Sequence, residues 1–253
     1  MFEVATHLAV FLIIAAFFAG FVDAIAGGGG LISMPALLLA GASPIEALAT
    51  NKLQGTFGSG AAAISFARAG HVYWRDQNWM AAISAVAGAG GAWLAHAVPV
   101  DWLRVIMPVV LVAVALFFAF KPGLSDAPRL LRLRPAVFAA TVVPLIASYD
   151  GIFGPGAGSF YMLAFVLLAG FGVLKATAHT KLLNFASNIG ALAVFSNSGA
   201  MWWGIGFGMA AAQIAGAALG ARLAIRLGAG VIKPLLVITS TGMAARLLWQ
   251  IWG

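Results

Sequence analysis

Apolar residues run almost unbroken through this chain. Short polar or Gly/Pro punctuation divides it into ten apolar segments, near residues 4–25, 31–42, 45–67, 78–97, 102–120, 135–152, 159–170, 173–196, 201–225 and 231–252. Of 253 residues 62% are hydrophobic and 8% charged, against roughly a quarter charged in soluble domains. At about 20 apolar residues per spanning helix, membrane elements use up the length and no soluble domain fits. In lipid every backbone polar group must be satisfied internally, and the class expected is an all-α integral membrane protein. The first segment is not read as a cleaved signal peptide, because no Lys or Arg precedes it and Asp23 with four glycines follows. The 14 Lys and Arg against 7 Asp and Glu lie mostly in a few short loops, where they orient helices, so no nucleic-acid partner is expected. With no cysteine, disulfides and thiolate metal sites are excluded, and neither a metal nor a cofactor is expected.

The segments fall into two copies of one pattern. The stretch from Gly20 to Trp74 reappears in degenerate form from Ser148 to Trp203. Asp23 matches Asp150 and the Gly27 to Gly30 run matches Gly154-Pro155-Gly156-Ala157 at an offset of 127; after a two-residue slip, Lys52 matches Lys181 and Trp74 matches Trp203 at 129. Residues 1–120 form the first membrane repeat, 121–134 a basic cytoplasmic linker and 135–253 the second repeat. Positive charge gathers in three turns, at Arg68, His71 and Arg75, at Lys121, Arg129, Arg132 and Arg134, and at Arg222, Arg226 and Lys233. All three are expected in the cytoplasm. The second-repeat counterpart of the first turn, residues 196–200, carries no charge, and Glu46 is replaced by Lys175. Matched positions thus belong on opposite sides of the membrane, which predicts an inverted-topology five-plus-five repeat with its site where the halves meet. Both termini would be periplasmic.

The second segment of each repeat is too short to span, since twelve residues rise about 18 Å against a hydrocarbon core of about 30 Å. The expectation is a pair of Gly-tipped broken helical hairpins meeting tip to tip within the bilayer; the alternative, in which segments one and six span fully, keeps the repeats and moves the tips. A glycine tip followed by a helix leaves N–H groups free at a helix N-terminus, an anion-binding arrangement. The tip candidates are Gly28, Gly29, Gly30 and Gly156. The glycines of 88–91 and 216–220 are read as close packing.

Lys52 and Lys181 are ionisable residues inside apolar segments, which makes them site candidates by default. Around them stand Asn51, Gln54 and Thr56 in one repeat and His179, Thr180, Asn184 and Asn188 in the other. Lys52 with Thr56, and Thr180 with Asn184 and Asn188, are spaced four apart and line helix faces. Amides, hydroxyls, glycine N–H groups and two cations suit a small oxyanion better than a cation or a sugar. Asp23 and Asp150, four residues before the tips, either carry protons, pair with the lysines or hydrogen-bond loop amides. Ser33, Ser59 and Ser187 fit packing or hydrogen bonding, and no Ser/His/Asp or metal constellation marks an enzyme.

The strings GFVDAIAGGGGLISMPALL, ATNKLQGTFGS and GHV, with GPGAGSFYM, ATAHTKLLNFASNIGAL and GARLAIRLG in the second half, resemble the TauE/SafE family of membrane permeases, the sulfite exporter or toluene-sulfonate-uptake family. The resemblance covers nearly the whole chain. It implies a multi-pass transporter of the bacterial inner membrane that moves sulfite, sulfoacetate-like sulfonates or related small sulfur oxyanions. The family's features fall on Gly27 to Gly30, Pro35, Thr50-Asn51-Lys52, Gly154-Pro155-Gly156 and Thr180-Lys181. The expected function is secondary transport, as an exporter, by alternating access at a midplane site; an anion channel and a non-transporting scaffold or assembly factor are the alternatives. The expected partners are the oxyanion, the lipid bilayer and a second copy of the chain.

Overall fold

The computed structural model describes residues 3–113 apart from 73, 100, 104, 107, 108 and 111, then residues 132–228 and 230. The tenth expected segment, residues 114–120 of the fifth, Lys121, Arg129 and Lys233 lie outside these residues. Eight helices position the site: α1 (Thr6–Ala26), α2 (Gly30–Leu39), α3 (Pro44–Arg68), α4 (Trp74–Ala97), α5 (Pro135–Ile152), α6 (Ala157–Leu167), α7 (Val173–Phe195) and α8 (Trp203–Leu227). No strand occurs among the described residues. Most of α1, α4, α5 and α8 is long and apolar enough to cross a membrane. At 1.5 Å per residue the 21 residues of α1 reach about 31 Å, so this helix alone matches a hydrocarbon core. Helices α2 and α6 have only 10 and 11 residues.

Helices α3 and α7 are equally long but carry the polar residues, and they are shielded by the others. Helix α1 packs chiefly on α8, α4 on α7 and α5, and α3 on α8 and α7. Each half of the sequence therefore packs mainly against the other half. Small residues make the close approaches. A Cβ added at Gly216 would lie 2.0 Å from the Phe17 carbonyl oxygen, one at Gly91 2.1 Å from that of Ser148, and one at Gly190 1.9 Å from that of Ala85. In lipid, where no hydrophobic force separates helix from solvent, such contacts and buried hydrogen bonds are what hold helices together.

Two chain breaks give the fold its character. Helix α1 ends at Gly27, whose φ of 81° closes a hydrogen bond from its N–H to the Asp23 carbonyl at 2.8 Å. Helix α5 ends at Ile152, and the chain turns through Gly154 and Gly156, at φ of 86° and 78°, around Pro155. Pro155 has no N–H to continue a helix. The two tips touch through their backbones: Ser159 N–H donates to the Gly27 carbonyl at 3.2 Å and Ser159 Oγ–H to that of Ala26 at 2.6 Å. The N-terminus of α6 thus satisfies the open carbonyls at the end of α1.

Polar caps fix the helix ends beyond the apolar layer. Ser43 and Glu46 form a capping box at the start of α3, with the Ser43 N–H donating to Glu46 Oε2 at 2.7 Å. Glu3 accepts from the N–H groups of Gly204 at 2.8 Å and Ile205 at 3.0 Å, capping α8 from the far end of the sequence. Burial pushes the Glu3 carboxyl up, but the Ile205 and Gly204 N–H groups outweigh it and hold it below its ordinary value of 4.5.

Two outcomes are expected of the folded protein. Gly27→Ala should sharply lower thermal stability, since its Cβ would meet Gly158 backbone carbon at 2.3 Å, whereas at Gly28 the nearest atoms are side-chain carbons at 3.8 Å and Ala should be tolerated; thermal unfolding in detergent checks the contrast. Glu3 contributes stability above its unfolded value that is lost as pH falls through its lower folded value. Melting curves between neutral pH and about 4 should then show less acid sensitivity in Glu3→Ala, which should also be less stable at neutral pH by up to about 1 kcal/mol.

Candidate functional site

Behind the touching tips, each lysine of α3 and α7 reaches across to the opposite broken helix. Lys52 Nζ sits 2.6 Å from Asp150 Oδ1, and Lys181 Nζ sits 3.3 Å from Asp23 Oδ2. Each ammonium also donates to the backbone carbonyl of the same aspartate. The carbonyls at the end of an interrupted helix carry its negative partial charge, so each lysine meets a carboxylate and a helix C-terminus together. Both lysines are fully buried. A buried charge is tolerated when paired and hydrogen bonded, and costs several kcal/mol when stranded.

The two pairs are not equivalent. Asp150 accepts from Lys52, from Ser187 Oγ–H and from Asn188 Nδ2–H at 3.4 Å. Asp23 accepts from Lys181 and, at 3.4 Å, from the Gly29 N–H. At the 129-residue offset, Ser187 and Asn188 correspond to Gly58 and Ser59, so the first half has no side chain to play the part of Ser187. The space beside Gly58 is taken by Gln213 of α8, whose Cγ would lie 2.6 Å from a Cβ at Gly58 and 2.7 Å from one at Gly20.

Between the pairs lies a small polar cavity of about 30 Å3, bordered by Asp23, Gly27, Gly30, Asn51, Gly55, Asp150, Gly154, Gly158, Asn184, Asn188 and Gln213. That volume holds water molecules. Its free hydrogen-bonding capacity comes from side-chain amides. Asn51 Oδ1 is occupied by Ser33 Oγ–H at 2.6 Å and Gln54 Nε2–H at 3.0 Å, and Asn184 Oδ1 by Asn188 Nδ2–H at 3.2 Å. With their oxygens held, Asn51 and Asn184 border the cavity, and neither NH2 has a hydrogen-bond partner among the described residues. The amide of Gln213 has none on either atom, and its Oε1 is buried. Beside Gly55 stands Asn188 Oδ1, 3.3 Å from where a Cβ would be.

Of the residues singled out from the sequence, Gly30, Asn51, Asn184, Asp23 and Asp150 come together around this cavity. Lys52 and Lys181 stand behind their aspartates, and Gln54 orients Asn51. Gly28, Gly29 and Gly156 belong to the tips rather than to the cavity border. Thr180 is buried with its Oγ1 unpartnered. His179 packs instead against the rings of Phe171 at 4.9 Å and Phe165 at 5.7 Å, away from the amides. Gln213 is the cavity residue that sequence reasoning missed, and a signal existed: it is the one amide in α8, whose charged residues, Arg222 and Arg226, lie towards its far end, and intramembrane polar residues mark sites. Ser84, its counterpart at the 129-residue offset, donates to the Leu183 carbonyl at 2.7 Å and bonds Tyr161 Oη at 3.0 Å, locking α4 to α6 and α7.

Interrupted helices around a buried polar centre, within a bundle of apolar spans, define a membrane transporter. Residues 12–247 match the family described as sulfite exporter TauE/SafE, and the chain belongs to it. The chain is similar to a probable membrane transporter protein, ORF9, of Sinorhizobium sp., at 56% identity over 98% of this chain and 95% of that one. It is 45% identical to the probable membrane transporter protein YfcA of Escherichia coli K12, over 100% and 94% of the two chains. A probable membrane transporter protein of Haemophilus influenzae is 41% identical over 98% and 97%. No solved structure matches the chain.

The crossed pairs make a stability test. Lys52→Met strands Asp150, and Asp150→Ala strands Lys52; each should cost about 3–5 kcal/mol, while the double replacement should cost less than the sum. Asp23→Ala, which removes an acceptor with fewer donors, should cost less than Asp150→Ala. A double-mutant cycle read by thermal unfolding checks both.

Proposed function

We propose that the chain is an exporter of a small sulfur oxyanion, such as sulfite or a sulfonate, working by alternating access in the bacterial inner membrane. The observation that carries this reading is the set of three side-chain amides, Asn51, Asn184 and Gln213, left without partners at the cavity. Held by Ser33, Gln54 and Asn188, the first two offer N–H donors in fixed directions, and a hydrogen bond to a charged acceptor contributes about 1.5–3 kcal/mol. The lysines are not first contacts for the anion: with two Lys and two Asp the centre sums to no net charge. A site whose two carboxylates are offset only by the lysines behind them favours a single negative charge over two, because nothing offsets the second charge once its water is lost. Asn188 Oδ1 supplies an acceptor for an oxyanion that retains one proton.

Several features support a carrier over a channel. The tips are joined by backbone hydrogen bonds through Gly27 and Ser159, so substrate passage requires them to part. The crossed packing of α1 on α8 and α4 on α5 accords with the inverted five-plus-five repeat, of residues 1–120 and 135–253 about a basic linker, with both termini periplasmic. Matched residues, Lys52 with Lys181 and Asp23 with Asp150, take matched roles. In this arrangement the two halves exchange positions about the cavity as the site opens to either side. An anion leaving an inside-negative cell gains about 2.3 kcal/mol per charge per 100 mV, which drives export without a coupling ion.

Reconstituted liposomes test the reading. Efflux of hydrogen sulfite or of a monoanionic sulfonate should rise with an inside-negative potential, exceed that of the dianion sulfoacetate, and show counterflow. Asn51→Asp and Asn184→Asp preserve shape and place a negative charge at the donors, and each should reduce flux at least tenfold; Gln213→Leu should weaken apparent affinity by about tenfold or more. Flux unchanged in all three variants would refute the site.

A further inference from the structure

Helices α3 and α8 run side by side in the same direction, tied at their starts by the Trp202 N–H donating to Thr50 Oγ1 at 3.1 Å. Their far ends therefore emerge together, and there a recess of about 340 Å3 opens between Ser65, Arg68, Ala69, Arg222, Ile225 and Arg226. Three arginines from two helices thus line one concavity. Arg222 and Arg226 are four apart on one helix face, a spacing at which like charges repel. No carboxylate pairs with Arg68, Arg222 or Arg226 among the described residues. Placement at helix C-termini offsets part of this repulsion, and the charge bias of cytoplasmic turns accounts for arginine at these ends. Neither requires that three from two helices share a pocket.

The surroundings are amphiphilic. One turn inward from Arg68 lies Ile64, 44% exposed, and one turn inward from Arg222 lies Leu219, 51% exposed. A ligand seated among the guanidiniums would carry its remainder along these apolar side chains. Free phosphate has nothing to place there. The geometry points to a binding site for an anionic phospholipid, with the headgroup phosphodiester held by Arg68, Arg222 and Arg226 and an acyl chain on the Ile64 and Leu219 faces. Guanidinium forks pair with phosphate oxygens two at a time, which an ammonium cannot do. A bound lipid would clamp the ends of α3 and α8, the helices that bear Asn51 and Gln213. The site stands apart from the polar cavity, so it does not depend on the transport reading.

Native mass spectrometry of the detergent-purified protein tests this with phosphatidylglycerol, phosphatidylcholine and inorganic phosphate as probes. Wild type should retain phosphatidylglycerol in preference to phosphatidylcholine, and excess inorganic phosphate should not displace it. The triple variant R68Q/R222Q/R226Q should bind phosphatidylglycerol about tenfold more weakly. Should that variant fail to insert or fold, R68K/R222K/R226K keeps the positive charge and should still bind more weakly than wild type. Equal retention by wild type and the lysine variant would overturn the proposal. Displacement by inorganic phosphate would overturn it too, and would mark a free-anion site instead.

Discussion

Two buried lysines, each paired with the carboxylate and the terminal carbonyl of a broken helix from the other half of the chain, hold the centre of this protein together. A helix that stops inside an apolar layer leaves carbonyls with no water to bond, and each unsatisfied group there costs several kcal/mol. Lys52 meets that need on the Asp150 carbonyl at the end of α5, and near the end of α1 Lys181 joins the Gly27 N–H on the Asp23 carbonyl. The N-terminus of α6 satisfies two more, through the Ser159 N–H and hydroxyl on the carbonyls of Gly27 and Ala26. Everything else at the site is arranged around these bonds. The glycines let the tips touch, and the long polar helices α3 and α7 bring the lysines to them. The apolar helices α1, α4, α5 and α8 enclose the whole.

The same pairs bear on what the cavity is proposed to recognise. Since each ammonium is spent on a carboxylate, the charge that looks decisive in the sequence is internally balanced. What remains open to a ligand is neutral and directional: amide NH2 groups whose oxygens are already engaged. Selectivity in such a site comes from matching donors to oxygens in a fixed geometry, and two carboxylates offset only by the lysines behind them discourage a second negative charge. The unequal donor sets on Asp23 and Asp150 trace to Gly58 and Ser59 standing where Ser187 and Asn188 stand in the other half. Gln213 fills the space that Gly58 leaves open, so loss of one polar side chain and gain of another are two faces of one packing solution.

Much of this was legible in the sequence. The duplication, the short second helix of each half, the breaks at Gly27 and at Gly154 to Gly156, and the gathering of Asn51, Asn184, Asp23 and Asp150 follow from periodicity, helix rise and the cost of polar groups in lipid. Pairing of the aspartates with the lysines was one of the readings left open there, but which lysine meets which aspartate was not legible, because pairing between helices a hundred residues apart depends on packing that no local pattern records. His179 carries polar chemistry at a promising spacing, yet its face of α7 turns to Phe165 and Phe171. Gln213 stands in the apolar stretch of α8 that precedes Arg222, and its place beside Gly20 and Gly58 emerges only when α8 docks on α1 and α3.

The most direct test is to locate a bound oxyanion. Anomalous diffraction from crystals grown with selenite, a heavy-atom analogue of sulfite, would mark the site by its selenium. The account requires selenium within hydrogen-bonding reach, through its oxygens, of the Asn51, Asn184 and Gln213 amides, with Lys52 still on Asp150 and Lys181 still on Asp23. Selenite held directly by either lysine, with its aspartate displaced, would contradict it.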